Sequence, residues 1–477
     1  MNIFQVFKNK GIDTIGRSYY AKIEEWREWY LNYVPKFHEY KVYHGSGGSV
    51  KCKRLTLGMA KKVCEDIADL LLNEHVKITV DNDATNAFVA QVLDDNHFFA
   101  LCNEYQERKA STGTTAYIPF IRDMVVDEQG VPVKGTATIG IEYVEGENIF
   151  PTSWENGDIK ECVFVFPKVS QQKNYVHFQY HHLEGEEYVI ENFVYLDTSK
   201  TGTGRELTPD EWANVPAFAG LVPKVYTASD KAQFTIDKLN IVNNADRDPN
   251  NPMGIAIYAN ALAILRKLDL EYDSYGNEFT LGRKRIFVAP EMLTTIDGDP
   301  VFDPNDSVFY QLPDGFFKDT KEAMHEVNME LRIEQHSKAI NDDLNFLSAK
   351  CGFGTDHYKF EKGTIQTATQ VISENSDMYR TIRKHENFLQ DTLKKLVQII
   401  MRLGVVIGAD GIDENAKITI EFDDSIIEDK NTERAEDRKD VAMGAMRLDE
   451  YRAKWYGETT EQAQASLPEQ QGNEVIM

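Results

Sequence analysis

The stretch GTIQTATQVISENSDMYRTIRKHENFLQDTLKKLVQIIMRLG runs from Gly363 to Gly404, and about forty residues between its two glycines contain neither Gly nor Pro. At ~1.5 Å per residue, a helix of that length reaches about 60 Å, twice the width of a small domain. Taken in alternating steps of three and four, positions 365, 368, 372, 375, 379, 382, 386, 389, 393, 396, 400 and 403 hold Ile, Ala, Ile, Asn, Tyr, Ile, Glu, Leu, Leu, Leu, Ile and Leu. Glu374, Asp377, Arg380, Lys384, Asp391, Lys394 and Lys395 fall off that line. The pattern predicts one long helix with a narrow apolar stripe and a solvated remainder. Each Leu or Ile fully buried on the stripe contributes about 1.5–3 kcal/mol, none of it available to an isolated helix. The stripe therefore demands neighbours along its length, and its period fits a bundle helix or a dimeric coiled coil. Asn375 and Glu386 interrupt it, which spacing alone reads equally as a kink, a water-facing bend or a flexing point.

Working outward, the 477-residue chain is 42% hydrophobic and 11% aromatic, enough for substantial cores. Its formal net charge of −25 argues against a protein that wraps duplex DNA tightly, since such proteins present dense Lys/Arg surfaces. The five cysteines, at 52, 64, 102, 162 and 351, form no CxxC and no zinc-like spacing, as expected in a reducing interior. The N-terminal MNIFQVFKNKGIDTIG lacks the apolar core of a signal peptide, and no apolar run approaches the ~20 residues that span a bilayer. The expectation is a soluble, intracellular protein.

The first 75 residues read as helical, with Tyr19, Ile23, Trp26, Tyr30 and Tyr33 on one stripe and Met59, Val63, Ile67 and Leu70 on another. HGSGGSVK (44–51) between them reads as a flexible loop, without the spacing of a phosphate-binding loop. From about Tyr117 to Phe218 the period changes to two, and EGE (184–186) marks a hairpin. DTSKTGTGRELTPDE (197–211) reads as an exposed loop, and the breaker cluster NNADRDPNNPMG (243–254) as a domain boundary. Beyond it, Tyr258, Ala261, Leu265, Leu268, Tyr272, Tyr275 and Phe279 keep helical spacing up to Gly282. A small β insert, a second helix and a glycine-bracketed loop lead into the long helix.

This order of elements resembles the portal proteins of tailed double-stranded DNA bacteriophages, of the type found in phages of Gram-positive hosts. The stretches that carry the likeness are RLTLGMAKKVCEDIADLLLNE, GIAIYANALAILRKLDLEYDSYGNEFTLGRKRIFV, LRIEQHSKAINDDLNFLSAKCGFG, TIQTATQVISENSDMYRTIRKHE and WYGETTEQAQASLPE. The resemblance implies an α+β subunit divided into a wing (1–253), a stem helix (254–282), a clip-like β insert (283–330), a second stem helix (331–350), a tunnel loop (351–363), a long wing helix with a following strand (364–429) and a short crown with a tail (430–477). It further implies a non-enzymatic ring of about twelve copies at one capsid vertex, closed by head-to-tail contacts. Double-stranded DNA would pass through the ring. Terminase large subunit, a head–tail adaptor, and major capsid and scaffolding proteins would be its partners, in the virion and, during assembly, in the host cytoplasm. No cofactor, metal or membrane is implied. The rival reading is a coiled-coil structural or minor head protein without a channel.

In the tunnel-loop stretch, Lys350, Lys359 and Lys362 are candidates for transient phosphate contact, or are solvated surface lysines. Phe353 and Tyr358, with Phe360, would touch DNA or pin the loop to the stem, the second being favoured. Gly352 and Gly354 suit a mobile loop and a helix C-cap equally. Arg283, Lys284 and Arg285 at the start of the clip would meet DNA, the packaging motor or an adaptor, or complement a helix C-terminus. His181 and His182 alternate along a strand and so face opposite sides. Acidic pairs in INDD (340–343) and FDDSIIED (422–429) offer the ingredients of a metal-dependent hydrolase, a third reading, but such pairs arise by chance in a chain with 77 acids.

Overall fold

The computed structural model describes residues 1–43, 48–72, 76–125, 133–198, 202–282, 285–288, 295–296, 299–300, 309–311, 324–360, 368–422, 430–456 and 458–466. The chain divides into two compact units, Met1–Glu421 and Phe422–Met477.

The larger unit opens with α1 (Ile3–Lys10), α2 (Arg17–Tyr30) and the single turn α3 (Pro35–His38). The hairpin β1 (Glu39–Tyr43) and β2 (Ser49–Lys53) follows, so part of the expected flexible loop is strand. Next come α4 (Met59–Leu71), β3 (Lys77–Val80), α5 (Asp83–Asp95) and α6 (Phe98–Thr112). Tyr19, Ile23 and Trp26 are buried as their spacing predicts. On α4 the buried face runs through Ala60, Cys64 and Leu71, leaving Leu70 half-exposed.

The period-two region forms β4 (Thr114–Arg122), β5 (Thr138–Glu145), β6 (Ile149–Glu155), β7 (Asp158–Ser170), β8 (Lys173–Glu184), β9 (Glu187–Leu196) and β10 (Arg205–Leu207). Strands β6 to β10 make an antiparallel meander in sequence order. One face gathers Val163, Val165, Val176, Phe178, Phe193 and Tyr195 beneath Val6 and Phe7 of α1. The other gathers Tyr175, Val194 and Leu207 beneath Trp212 of α7 (Pro209–Ala213) and Phe218. Alternation along each strand thus feeds two cores. Glu184 pairs with Glu187 across the expected hairpin, where Gly185 takes a positive φ of 67°. Part of the expected 197–211 loop is strand, because Arg205–Leu207 completes the sheet edge against β9.

After β11 (Lys224–Tyr226), β12 (Thr235–Lys238) joins a second sheet in the order β12-β4-β5. The stretch at 243–254 is not a domain boundary. Met253, Ile255, Ala256, Ile257 and Tyr258 are buried in the core, and the chain there is irregular and then turns rather than beginning a helix. Gly254 lies against Gly113, whose φ is 86°, and a Cβ on either residue would collide with the other strand's backbone. Ile257 N–H donates to Ala110 O at 2.9 Å, and Gly254 N–H to Thr114 Oγ1 at 2.8 Å. Helix α8 therefore begins only at Leu262 and runs to Leu281.

The insert shows β13 (Arg285–Val288), β14 (Thr295–Ile296), β15 (Asp299–Pro300), β16 (Phe309–Gln311) and β17 (Met324–Val327), with β13 between β16 and β17. Helix α9 spans Ile333–Cys351 and α10 spans Ala368–Val406. β18 (Ile418–Glu421) then pairs with β3, tying the end of the unit to its beginning. The smaller unit holds α11 (Lys430–Met443), α12 (Leu448–Tyr456) and α13 (Thr460–Ala465). Tyr451 accepts from Arg434 and Arg438 there at 3.2 and 3.0 Å.

From 382 to 403 the stripe of α10 finds its partners inside its own subunit. Ile382, Leu389, Leu393, Leu396, Ile400 and Leu403 are buried against β12, β4, α5, α4 and β18. Over that span the neighbours that the stripe demands come from the same chain, as in a bundle helix. The buried face is also wider than the seam, taking in Val397, Ile399 and Met401. Glu386 marks no bend: it is 5% exposed, faces Arg383 at 3.3 Å, and the helix is continuous through it. The side chain of Asn375 lies outside the described residues. Leu393→Asp should lower the subunit's own stability by several kcal/mol, because an unpaired charge replaces a fully buried leucine. Chemical unfolding of the dissociated subunit will register the loss, with no dependence on protein concentration.

Candidate functional site

Helices α8 and α9 lie side by side, with two sets of polar contacts and one aromatic cluster at their pairing. Lys267 Nζ reaches Asp343 at 2.8 Å and Glu271 at 3.4 Å. Arg332 donates to Glu278 through Nε at 3.1 Å and Nη2 at 2.8 Å, and His336 adds a contact at 3.6 Å. Tyr275 packs edge-on against Phe279 and Phe360. These hydrogen bonds from Arg332 pull the Glu278 carboxyl down to about 2.

Helix α9 ends where Gly352 enters the left-handed region at φ 86° and Phe353 N–H returns to Ser348 O at 3.0 Å, a C-cap. Residues 352–360 then fold back along the helix that precedes them. Asn345 Oδ1 accepts from Asp356 N–H at 3.2 Å, Ser348 Oγ from Tyr358 N–H at 3.2 Å, and Asn341 Oδ1 from Phe360 N–H at 2.7 Å. Asn341, Asn345 and Ser348 stand four and three residues apart, one face of a helix serving as a ladder for the returning backbone. Phe353 stacks on His357 at 4.7 Å, and Tyr358 OH donates to Asp66 of α4 at 2.8 Å.

Phe353 and Tyr358 are buried within the subunit. Lys350 and Lys359 are exposed, Lys359 3.6 Å from Asp356. Lys362 lies outside the described residues, as do Arg283 and Lys284. Arg285 opens β13, half-buried and opposite Val327. The ladder and Asp66 were not singled out from sequence. The Asn341–Asn345–Ser348 spacing was the available signal, whereas Asp66 carries none because its partner is distant in sequence.

Of the acidic pairs, Asp343 is buried on Lys267, and Asp423 and Asp424 lie outside the described residues. His181 is buried beside Phe164 and Phe234, while His182 turns to the opposite face toward Glu184 and Glu191. That histidine and the two glutamates bring three metal-ligand atoms within 4.8 Å of one another. Lys224 Nζ, at 2.6 Å from Glu184 and 3.2 Å from Glu191, already balances the carboxylates, so the group works as an ion-pair network. Among the described residues no helix is long and apolar enough to cross a membrane.

The site contains carboxyls that respond to pH in opposite senses. Burial raises the Asp66 carboxyl, but hydrogen bonds from His357, Lys62 and Tyr358 outweigh it and hold it below the usual range. Its contribution is therefore complete at neutral pH and is lost only in acid, as pH falls through the lowered value. Asp66→Asn should speed amide exchange across residues 352–360 by about tenfold or more at pH 7, since a charge-assisted hydrogen bond is lost. Hydrogen-exchange mass spectrometry reads this directly. Glu271 behaves oppositely: burial and then the Asp343 charge raise it, and Glu271 Oε2 and Asp343 Oδ2 are both buried without a hydrogen-bond partner among the described residues. A raised carboxyl favours the fold most in acid, and the contribution is lost as pH rises through the folded value. Glu271→Gln should raise the melting temperature by a few degrees at pH 7 and leave it unchanged at pH 4.

A profile of phage portal proteins of the SPP1 Gp6-like type matches residues 10–474 of the 477. No curated protein matches the chain. The matched span takes in the sheets, the paired helices α8 and α9, the insert between them and the long α10. The chain therefore belongs to the phage portal protein family of the SPP1 Gp6-like type, structural components of bacteriophage capsids rather than enzymes.

Proposed function

We propose that this chain assembles into a closed ring at one capsid vertex, forming the conduit through which double-stranded DNA is packaged and ejected. The observation that carries the reading is the family match over residues 10–474, on a chain whose helices α8 and α9, either side of the insert, pack against each other. A net charge of −25 per subunit suits a channel that must pass DNA without gripping it, because acidic walls repel phosphates. Lys350, Lys359 and Lys362 supply weak, repeated positive rings against that background. Phe353 and Tyr358 hold the stretch that carries the lysines. Arg283, Lys284 and Arg285 belong to the end that meets the terminase large subunit during packaging and the head–tail adaptor afterwards. Major capsid and scaffolding proteins surround the wing, residues 1–253.

Against the coiled-coil alternative, the stripe positions from 382 to 403 are buried within one chain. Native mass measurement and negative-stain microscopy test the proposal together. With a subunit of 54.5 kDa, a ring of about twelve copies has a mass on the order of 650 kDa and shows a central hole. A monomer or dimer at micromolar concentration, with no annular particles, overturns it.

A further inference from the structure

Against 77 acidic residues in the chain, no Asp or Glu occurs between Tyr40 and Cys64, while Lys41, Lys51, Lys53, Arg54, Lys61 and Lys62 all fall there. Lys61 and Lys62 are neutralised on α4 by Glu65, Glu107 and Asp66. The others belong to the β1–β2 hairpin or its exit. This two-stranded sheet pairs with no third strand among the described residues, and both of its faces are open. Its register places Lys41 opposite Lys51 and Glu39 opposite Lys53, all on one face. Like charges directly opposite each other weaken a strand pair. Neither Lys41 nor Lys51 has an acidic partner among the described residues. The reverse face places Val42 opposite Val50, 41% and 49% exposed. Only the base is anchored, by Arg54 over Phe37 and Tyr40 and by Lys53 over Tyr33.

The complement lies on the same unit. Asp81, Asp83, Asp413 and Glu414 are exposed near the start of α5; Lys417 follows on the same segment, Arg402 lies within electrostatic reach of Glu414, and Lys134 is paired with Asp410. Asp81 N–H donates to Lys417 O at 2.9 Å, and Asp413 N–H to Thr85 Oγ1 at 2.9 Å, which joins the two acidic segments. The hairpin precedes α4 in the chain and β3 follows it, so the basic and the acidic patches sit on separate elements of the unit. Head-to-tail association needs two such different, complementary surfaces on one body.

We propose that the β1–β2 hairpin docks its lysine face on the Asp81/Asp83/Asp413/Glu414 patch of the next copy in the ring. This rests on the ring reading above and names one of its contacts. A second copy is the occupant rather than a nucleic acid because a protein surface also covers Val42 and Val50, which phosphates would leave in water. Complementary charge sets register and partner choice at such a contact.

Charge reversal tests it. Lys41→Glu/Lys51→Glu and, separately, Asp81→Lys/Glu414→Lys should each abolish ring formation at physiological salt. Mixing the two folded variants should restore it, because every contact in an alternating ring then regains opposite charges. Native mass spectrometry reads both results, with melting curves as the folding control. Should the glutamates unfold the hairpin, the neutral Lys41→Gln/Lys51→Gln protein decides: association at least tenfold weaker and with a flatter salt dependence supports the contact. Rings formed by the hairpin variant as readily as by the wild type overturn the proposal and leave the lysines as edge protection or as a site for another anion. Mixed variants that are folded yet fail to assemble overturn it as well. If the wild-type chain forms no ring, it is the ring reading that fails.

Discussion

The burial of α10 beneath the β12-β4-β5 sheet is the constraint on which the larger unit depends. Leu389, Leu393, Leu396 and Ile400 contribute apolar burial along nearly three turns of helix, and β12 meets the same face with polar groups. Thr392 Oγ1 donates to Ile236 O at 3.1 Å, and Asn240 N–H donates to His385 Nδ1 at 3.0 Å. Burial, with the nearby Lys109 charge, pushes His385 down to about 3, so it is a neutral acceptor at physiological pH. The helix is thus held in register as well as held down, because sliding it by one turn would strand these polar groups in the core.

Register at the adjoining layer comes from a buried ion pair. Lys109 of α6 contacts both oxygens of Asp237 at 3.0 Å, and Gln106 and Tyr117 donate to the same carboxylate at 2.6 and 3.2 Å. An ionic group sealed from water adds little net stability but penalises every arrangement that separates its members. It fixes α6 on β12, and β12 in turn presents its backbone to α10. The backbone contact of Gly113 with Gly254 completes this centre and carries the chain to the start of α8. Helix α8 therefore issues from a closely packed, hydrogen-bonded centre of the larger unit.

Much of the architecture was legible from local pattern. The long helix, the meander and the EGE hairpin follow from periods of 3.6 and two, which neighbours in sequence enforce by themselves. The misread segments share a different physics. NNADRDPNNPMG has the composition of a boundary, yet its last residues enter the core because two glycines permit backbones to touch. Residues 44–51 have the composition of a loop, yet Ser49–Lys53 is strand because Glu39–Tyr43 is available to pair with it. Phe353 and Tyr358 lie in a stretch that Asn341, Asn345, Ser348 and Asp66 hold by hydrogen bonds, the last from a residue distant in sequence.

The sequence by itself determined which residues are helical, which alternate, and that one face of the long helix had to be covered, since those properties arise from the spacing of apolar side chains along a single strand of chain. What covers that face was decided only by the tertiary structure. An apolar stripe specifies burial but not the identity of its partner, because the hydrophobic effect is non-directional. Here the partners are the subunit's own sheet and helices, selected by hydrogen bonds and close backbone contacts between residues more than a hundred positions apart.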